Sequence, residues 1–326
     1  MANNSFSGAI RTILRQRSLY VAIAVWVLLS GMGLLMARGN PRLESQARVS
    51  SIALVLIVLM IGLVSFVARN RPVPDLGERA PERGIARQET AALWCYGFLV
   101  MVAGRIIGQH FFGEGIALHL NGSLVGATRV QSPTEVYTWA VYNGVLLALI
   151  PYVAFRLRRY SNQQLNLKSD NVSNDTVIIF VVLALSCALD FTGPNILHLT
   201  RHQQIVGGSL SFILHMIGTD LPIMIFVYAI LLPRYFKLFS AMTAYLLGAA
   251  SYPAMHIFES GTRYDSAAHS LASLTFVFLG LFPAGLMKSF LTFRTGNAWV
   301  HLWGFHAISP HVTVDTRLIV SDFRIR

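Results

Sequence analysis

The chain has 326 residues, of which 54% are apolar and 13% charged, and its net charge is +11. Its apolar residues run in stretches of about 18 to 25, the length that crosses roughly 30 Å of hydrocarbon. The sequence therefore excludes a soluble globular domain and predicts an all-α, polytopic transmembrane helix bundle of about 8–9 spans. Its basicity would suggest nucleic acid in a soluble protein. Here the arginines fall in short segments between spans, where they set orientation, so the expected partner is the lipid bilayer and not nucleic acid.

Residues 1–17 form a basic arm, and the first span runs from Leu19 to Ala37. Its apolar run is too long for a signal peptide and Arg38 follows where a small-residue cleavage site would stand, so it reads as an anchor. The second span is Ile52 to Ala68. A polar linker from Arg69 to Glu89 with three prolines is the strongest internal boundary, closing an N-terminal segment of residues 1–89. The middle segment, 90–206, opens with a third span, Thr90 to Gly108, whose Arg105 is expected to snorkel to the headgroups. The loop from Gln109 to Glu135 is expected to lie in the membrane interface. A fourth span, Val136 to Phe155, is closed by Arg156, Arg158 and Arg159, and a fifth runs from Thr176 to Phe191 with Asp190 near its end. Cys95 and Cys187 sit in apolar spans without disulfide or zinc spacing and read as small hydrophobes. Asn171 and Asn174 match the glycosylation pattern but belong to a loop that reads as cytoplasmic.

The C-terminal segment, 207–326, holds a sixth span, Gly207 to Leu232, expected to be interrupted around Gly218 to Pro222 because Pro222 cannot donate to the carbonyl of Gly218. The seventh span is Leu238 to Phe258, the eighth Ala268 to Leu286 and the ninth Asn297 to Val312. Basic clusters at 69–87, 156–168, 234–237 and 288–294 read as inner loops, with single arginines near 129, 201 and 263 outside. That alternation predicts a cytoplasmic N-terminus and an outer tail after Val312, in a bacterial-type inner membrane; Arg38, Arg42 and Arg48 in the first outer loop run against it.

The stretch from Arg294 to Asp315 carries three of the ten histidines and two of the five tryptophans within an apolar segment. An imidazole at membrane depth needs a hydrogen-bond partner or a wet cavity, which makes it a candidate functional residue. At 100° per residue His301, His306 and His311 each step about 140°, so they are not expected to share a face as metal ligands, and His306, near Trp299 and Trp303, is taken as the inward one. His215 reads as a packing partner. His269 and His311 are placed at span ends, satisfied by interfacial water, and His110, His119, His198 and His202 as loop residues.

Tyr252-Pro-Ala-Met-His256, about thirty apolar residues, then Arg294-Thr-Gly-Asn-Ala-Trp299 and His306-Ala resemble the second and third motifs of the CPBP family, the CAAX-prenyl-protease and abortive-infection-like intramembrane proteases. The resemblance covers about Gly207 to Val314. It implies a helical membrane fold, peptide-bond hydrolysis in or near the membrane, and catalytic roles for His256 and His306. The family's Glu-Glu pair and following Arg fall on Ile223, Met224 and Tyr228 here, and its Asn after the last His falls on Pro310. Asp220, one helical turn before the missing pair, is the candidate substitute base, with helix capping as its alternative role.

Two functions remain open at this point. One is an intramembrane peptidase using Asp220, His256 and His306. The other is a catalytically inactive CPBP-fold protein, a membrane binding or assembly subunit for a peptide or membrane-protein partner. Such a partner would meet the aromatic surface of Tyr20, Trp26, Trp94, Tyr96 and Trp139, or the tail from Thr316 to Arg326. The sequence requires no cofactor and leaves a divalent metal open; a histidine-ligated metal enzyme is the weaker reading because tight His-rich repeats are absent.

Overall fold

The computed structural model describes residues 15–120 and 131–326. Most of the basic arm, Arg129 and part of the loop expected in the interface lie outside the described residues. Ten helices follow in order: α1 Arg17–Ala37, α2 Pro41–Val67, α3 Arg83–Phe112, α4 Pro133–Leu157, α5 Val172–Asp190, α6 Arg201–Leu238, α7 Ala241–Ala254, α8 Ala267–Thr295, α9 beginning as Ala298–His301, and α10 Thr316–Asp322. No strand occurs among the described residues. Helices α1 to α6 and α8 are each long and apolar enough to cross a bilayer, and the chain is a multi-pass, all-α membrane protein.

Capping residues start the helices where the sequence changes from polar to apolar. Ser132, Asn171, Ser240, Ser266 and Asn297 each accept a backbone N–H of the first turn, and Thr200 and Gln203 form a capping box at the head of α6. Gly113 and Gly296, both in the left-handed region, close α3 and α8. Of the most apolar window of α6, 83% is buried, against 6% for α1. α6 is therefore the axis of the bundle, and α1 turns Val21, Val27, Leu28 and Leu35 outward.

Three features differ from the sequence-based expectations. α6 is not interrupted at Pro222. The turn Met216–Asp220 is π-helical and Leu221 donates to the carbonyl of Met216, five residues back, so the wider turn takes up the missing N–H of Pro222 without a break. Asp220 makes no capping bond there, which removes its alternative role. The seventh and ninth segments are short: α7 has 14 residues, about 21 Å of helix, and α9 continues as π turns over Leu302–His306 and Ser309–Val314.

The basic residues at 234 and 288–294 are not in loops. Arg234, Lys288 and Arg294 are buried. Arg234 pairs with Glu89 (2.7 Å), which also meets Arg158 (2.8 Å), and Arg294 donates to the carbonyls of Ala68 and Arg71 (2.7 Å to the latter). The linker after α2 is likewise tied in, since Arg79 donates to Asn166 (2.9 Å) and Gly296 O (2.6 Å) and pairs with Asp170, while Arg71 pairs with Asp175. Burial pulls the Arg79 guanidinium down from its ordinary value, partly offset by Asp170. One apolar cluster contains Leu76, Leu93, Leu147, Tyr228 and Leu302, so the core runs through all three sequence segments.

Candidate functional site

The site begins with a segment that sequence reasoning placed in the interface. After Gly113 the chain folds back along α3, and residues Ile116, Ala117, Leu118 and Leu120 are buried in the bundle. Irregular backbone at that depth needs protein partners for its polar groups, and it has them. Ile116 N–H donates to Gly104 O (3.0 Å). Trp139 and Asn143 donate to Ala117 O (3.0 and 2.8 Å), Thr219 to Leu118 O (2.6 Å), and Gln131 to Leu120 O (2.7 Å). His119 N–H is accepted by Glu259 Oε1 at 3.1 Å. The result is a fixed re-entrant stretch that carries His119 into the centre of the molecule.

Around His119 lie four further imidazoles. Its ring centroid is 4.4 Å from His256 and 6.0 Å from His311, and His311 is 5.1 Å from His306 and 4.5 Å from His215. Asp220 Oδ1 sits 3.3 Å from His306 Nδ1 and 3.4 Å from His311 Nε2, so the sequence-derived Asp220 and His306 do meet. His256 joins through Tyr252: its Nδ1 donates to Tyr252 O (2.5 Å), and the Tyr252 ring packs on both His256 and His306, with centroids 4.4 and 5.9 Å apart. The Tyr252 hydroxyl is 3.2 Å from His119 Nε2, and Lys288 Nζ lies 3.4 Å above the Tyr252 ring. His301, one turn away, packs on Tyr228 and meets Thr292 Oγ1 at 3.1 Å.

The inward orientation of all three α9 histidines corrects the expectation that only His306 would face the bundle. In a π turn the hydrogen bond spans five residues, so positions five apart come nearly into line instead of stepping 140°. The bonds are of this kind: Ala307 N–H to Leu302 O (2.8 Å), Thr313 N–H to Ile308 O (3.1 Å) and Asp315 N–H to Pro310 O (3.0 Å). His301, His306 and His311 are all at most 2% exposed. His311 is thus a buried site residue rather than an interfacial one. His269 is exposed and paired with Asp265 at 2.5 Å, as its span-end position suggested.

Sequence reasoning missed His119, His311, Glu259, Asp315 and Lys288. Glu259 stands three residues after His256, with carboxylate oxygens 4.0 Å from His256 Nε2 and 3.6 Å from His119 Nδ1. Asp315 stands four after His311, which donates to it from Nδ1 at 2.7 Å, and its carboxylate is 3.5 Å from His215 Nε2. Such i,i+3 and i,i+4 carboxylate–histidine pairs are visible in the sequence and were the available signal. His119 had none beyond its place in an apolar GIALHL run.

A cavity of about 330 Å³ opens on this cluster. His119, Tyr252, Lys288, His306 and His311 form its polar end, and Ile57, Met60, Leu281 and Phe305 belong to its apolar wall. Asp220 Oδ1 and Oδ2, His256 Nε2, both nitrogens of His306, and His311 Nε2 are buried without a hydrogen-bond partner among the described residues. Three groups have ligand atoms within 4.8 Å of one another: His119, His306 and His311; His119, His256 and Glu259; and His215, His311 and Asp315. An array of carboxylate, imidazoles and a cavity with an apolar wall can hold a water or an ion beside an apolar molecule. No family model matches the sequence, and no curated protein or solved structure shows significant similarity to it.

Proposed function

We propose that the chain is an intramembrane hydrolase of the CPBP type that cleaves a peptide bond in or near the bilayer. The observation that carries this reading is the buried carboxylate of Asp220 facing His306 and His311 with no hydrogen bond to satisfy either oxygen. Asp220 takes a proton from water as the water oxygen bonds to the carbonyl carbon. The His306 imidazole, which lines the cavity, stabilises the charge that develops on the carbonyl oxygen, and His256, packed on His119 and bonded to Tyr252 O behind the wall, holds the set in place. Asp220 then passes the proton to the departing nitrogen as the C–N bond breaks, giving a carboxylic acid and an amine. The apolar cavity suits a substrate with a lipid-like or transmembrane portion.

Cleavage of a quenched fluorogenic transmembrane peptide by the detergent-purified protein tests it. Asp220→Asn, His256→Ala and His306→Ala each abolish turnover and show no further loss in combination, because groups sharing one transition state fail together. Full activity in Asp220→Asn refutes the assignment of the base.

The second reading, a catalytically inactive binding or assembly subunit, is favoured by the fully buried apolar Ile223 and Met224 where the family has its glutamates. It expects His256 and His306 to be held by neighbouring groups, and the unpaired nitrogens weigh against it. The proposal includes a bacterial-type inner membrane, a cytoplasmic N-terminus and an outer C-terminus; reporter fusions at Asn171 and at the C-terminus on the same side refute that topology.

A further inference from the structure

The geometry points to a metal site: His119, His306 and His311 bind one divalent transition-metal ion of the zinc class at the polar end of the cavity. This site stands whether or not the cluster cleaves peptide bonds. Their ligand nitrogens lie within 4.8 Å of one another. Imidazole–zinc bonds of about 2.0–2.1 Å place tetrahedral ligands roughly 3.3 Å apart, so side-chain shifts on the order of 1 Å close the set.

Each ring of this set has a different carboxylate at Nδ1. Glu259 is 3.6 Å from Nδ1 of His119, Asp220 is 3.3 Å from that of His306, and Asp315 is 2.7 Å from that of His311. A carboxylate in this position orients a metal-binding imidazole and presents its Nε2 to the ion. Asp315 does so for His311 by a formed hydrogen bond, Glu259 and Asp220 stand near enough to close onto His119 and His306, and Asp220 Oδ1 also lies 3.4 Å from His311 Nε2, beside the proposed ion. Nε2 of His306 and of His311 are buried and lack hydrogen-bond partners among the described residues, and the Tyr252 hydroxyl beside His119 Nε2 marks the third approach. All three rings line the cavity, which leaves a fourth coordination position for water or substrate, the mark of a catalytic rather than a structural ion.

The competing set, His119 with His256 and Glu259, shares His119, so both cannot be filled through the same nitrogen. Neither His256 nor Glu259 reaches the cavity wall. Nitrogen donors without a thiolate select a borderline cation over magnesium or calcium. Lys288 is the one ammonium that lines the cavity among the described residues, while the three rings have the carboxylates Asp220, Glu259 and Asp315 beside them. A dication therefore reduces the imbalance of buried charge.

The test is metal binding by the full chain in detergent, stripped with a chelator and titrated with Co²⁺ while its visible absorption is followed. The expected result is one ion per chain with an intense tetrahedral spectrum, displaced by Zn²⁺. His119→Ala, His306→Ala and His311→Ala lose the ion, while His256→Ala and the exposed His269→Ala keep it. Asp315→Asn, which preserves shape, weakens Co²⁺ about 10–100-fold and decides the matter should an alanine variant fail to fold. No stoichiometric Co²⁺ in the wild type, loss in His256→Ala with retention in His311→Ala, or unchanged affinity in Asp315→Asn overturns the site. Because peptide cleavage is not the readout, failure here leaves the hydrolase reading to its own experiment.

Discussion

Gly108→Ala tests how the re-entrant segment positions the site. Gly104 and Gly108 are four residues apart on α3, and their bare faces receive the backbone of residues 114–116. A Cβ on Gly108 stands less than 3.0 Å from Glu114 O, Ile116 N and Gly115 C, all main-chain atoms, and Ile116 N–H is held by Gly104 O. Restoring contact distance pushes that backbone off by on the order of 1 Å, and overpacking of this kind costs about 1–3 kcal/mol. His119 lies three residues beyond Ile116 on the same stiff segment, so it moves with it. Thermal unfolding in detergent reads the stability loss and Co²⁺ titration reads the displaced imidazole. Gly62→Ala, where a Cβ meets nothing within 4 Å, serves as the control. A Gly108→Ala protein with the control's melting temperature and Co²⁺ affinity refutes both the close approach and the role given to the segment.

Other perturbations follow from the same packing. Glu89→Gln leaves the fully buried Arg234 without its counter-charge and lowers unfolding stability by about 3–5 kcal/mol in chemical denaturation; a loss under about 1 kcal/mol contradicts the ion-pair account. Gly285→Ala drives a Cβ into Ala249 O, separates α8 from α7 and lowers the melting temperature, with Gly31→Ala, which meets nothing, as the comparison. Asp265 is held down to about 2, first by its hydrogen bond from Arg263 and then by that from His269, against an ordinary value of 3.8. A depressed carboxylate contributes stability that is present above its unfolded value and lost as pH falls through its folded value. Asp265→Asn therefore flattens the melting-temperature profile only between about pH 4 and pH 2, and a profile identical to wild type there counts against the pairing.

The spans were legible because their signal is additive. Runs such as Ile52 to Ala68 and Val136 to Phe155 declare themselves by length and apolarity, and the helices cover both. Asp220, His256 and His306 were legible because polar groups stand out against those runs. Arg234, Lys288 and Arg294 read as loop charges in the sequence and are buried: Glu89 pairs with Arg234, the Arg71 carbonyl accepts from Arg294, and Lys288 Nζ stands over the Tyr252 ring without a hydrogen-bond partner among the described residues, none of which a local pattern reveals. Arg105 on α3 is half-buried and meets Thr262 at 3.3 Å and the rings of Phe258 and Tyr264, contacts that its local sequence does not reveal either.

The histidines of α9 show why the site itself was harder to read. Residues five apart diverge on an α-helix and converge on a π-helix, so the inference from spacing to geometry reverses with a change of one residue in the hydrogen-bond span. Proline and polar side chains favour that change here: Pro310 lacks the N–H an α turn would use, and Ser309 and Thr313 donate to Asp190 on α5. The π turns of α4 and α9 fall on helices that both pack against α6, which carries its own. Each costs regular bonding, and the one that ends at Asp220 and the two that carry His306 and His311 bring side chains to a common point that α-helical spacing keeps apart. The irregular geometry and the unsatisfied polar atoms thus coincide. Five-residue histidine spacing in a proline-containing apolar segment is accordingly better read as two possible faces, with the choice left to the backbone hydrogen bonds.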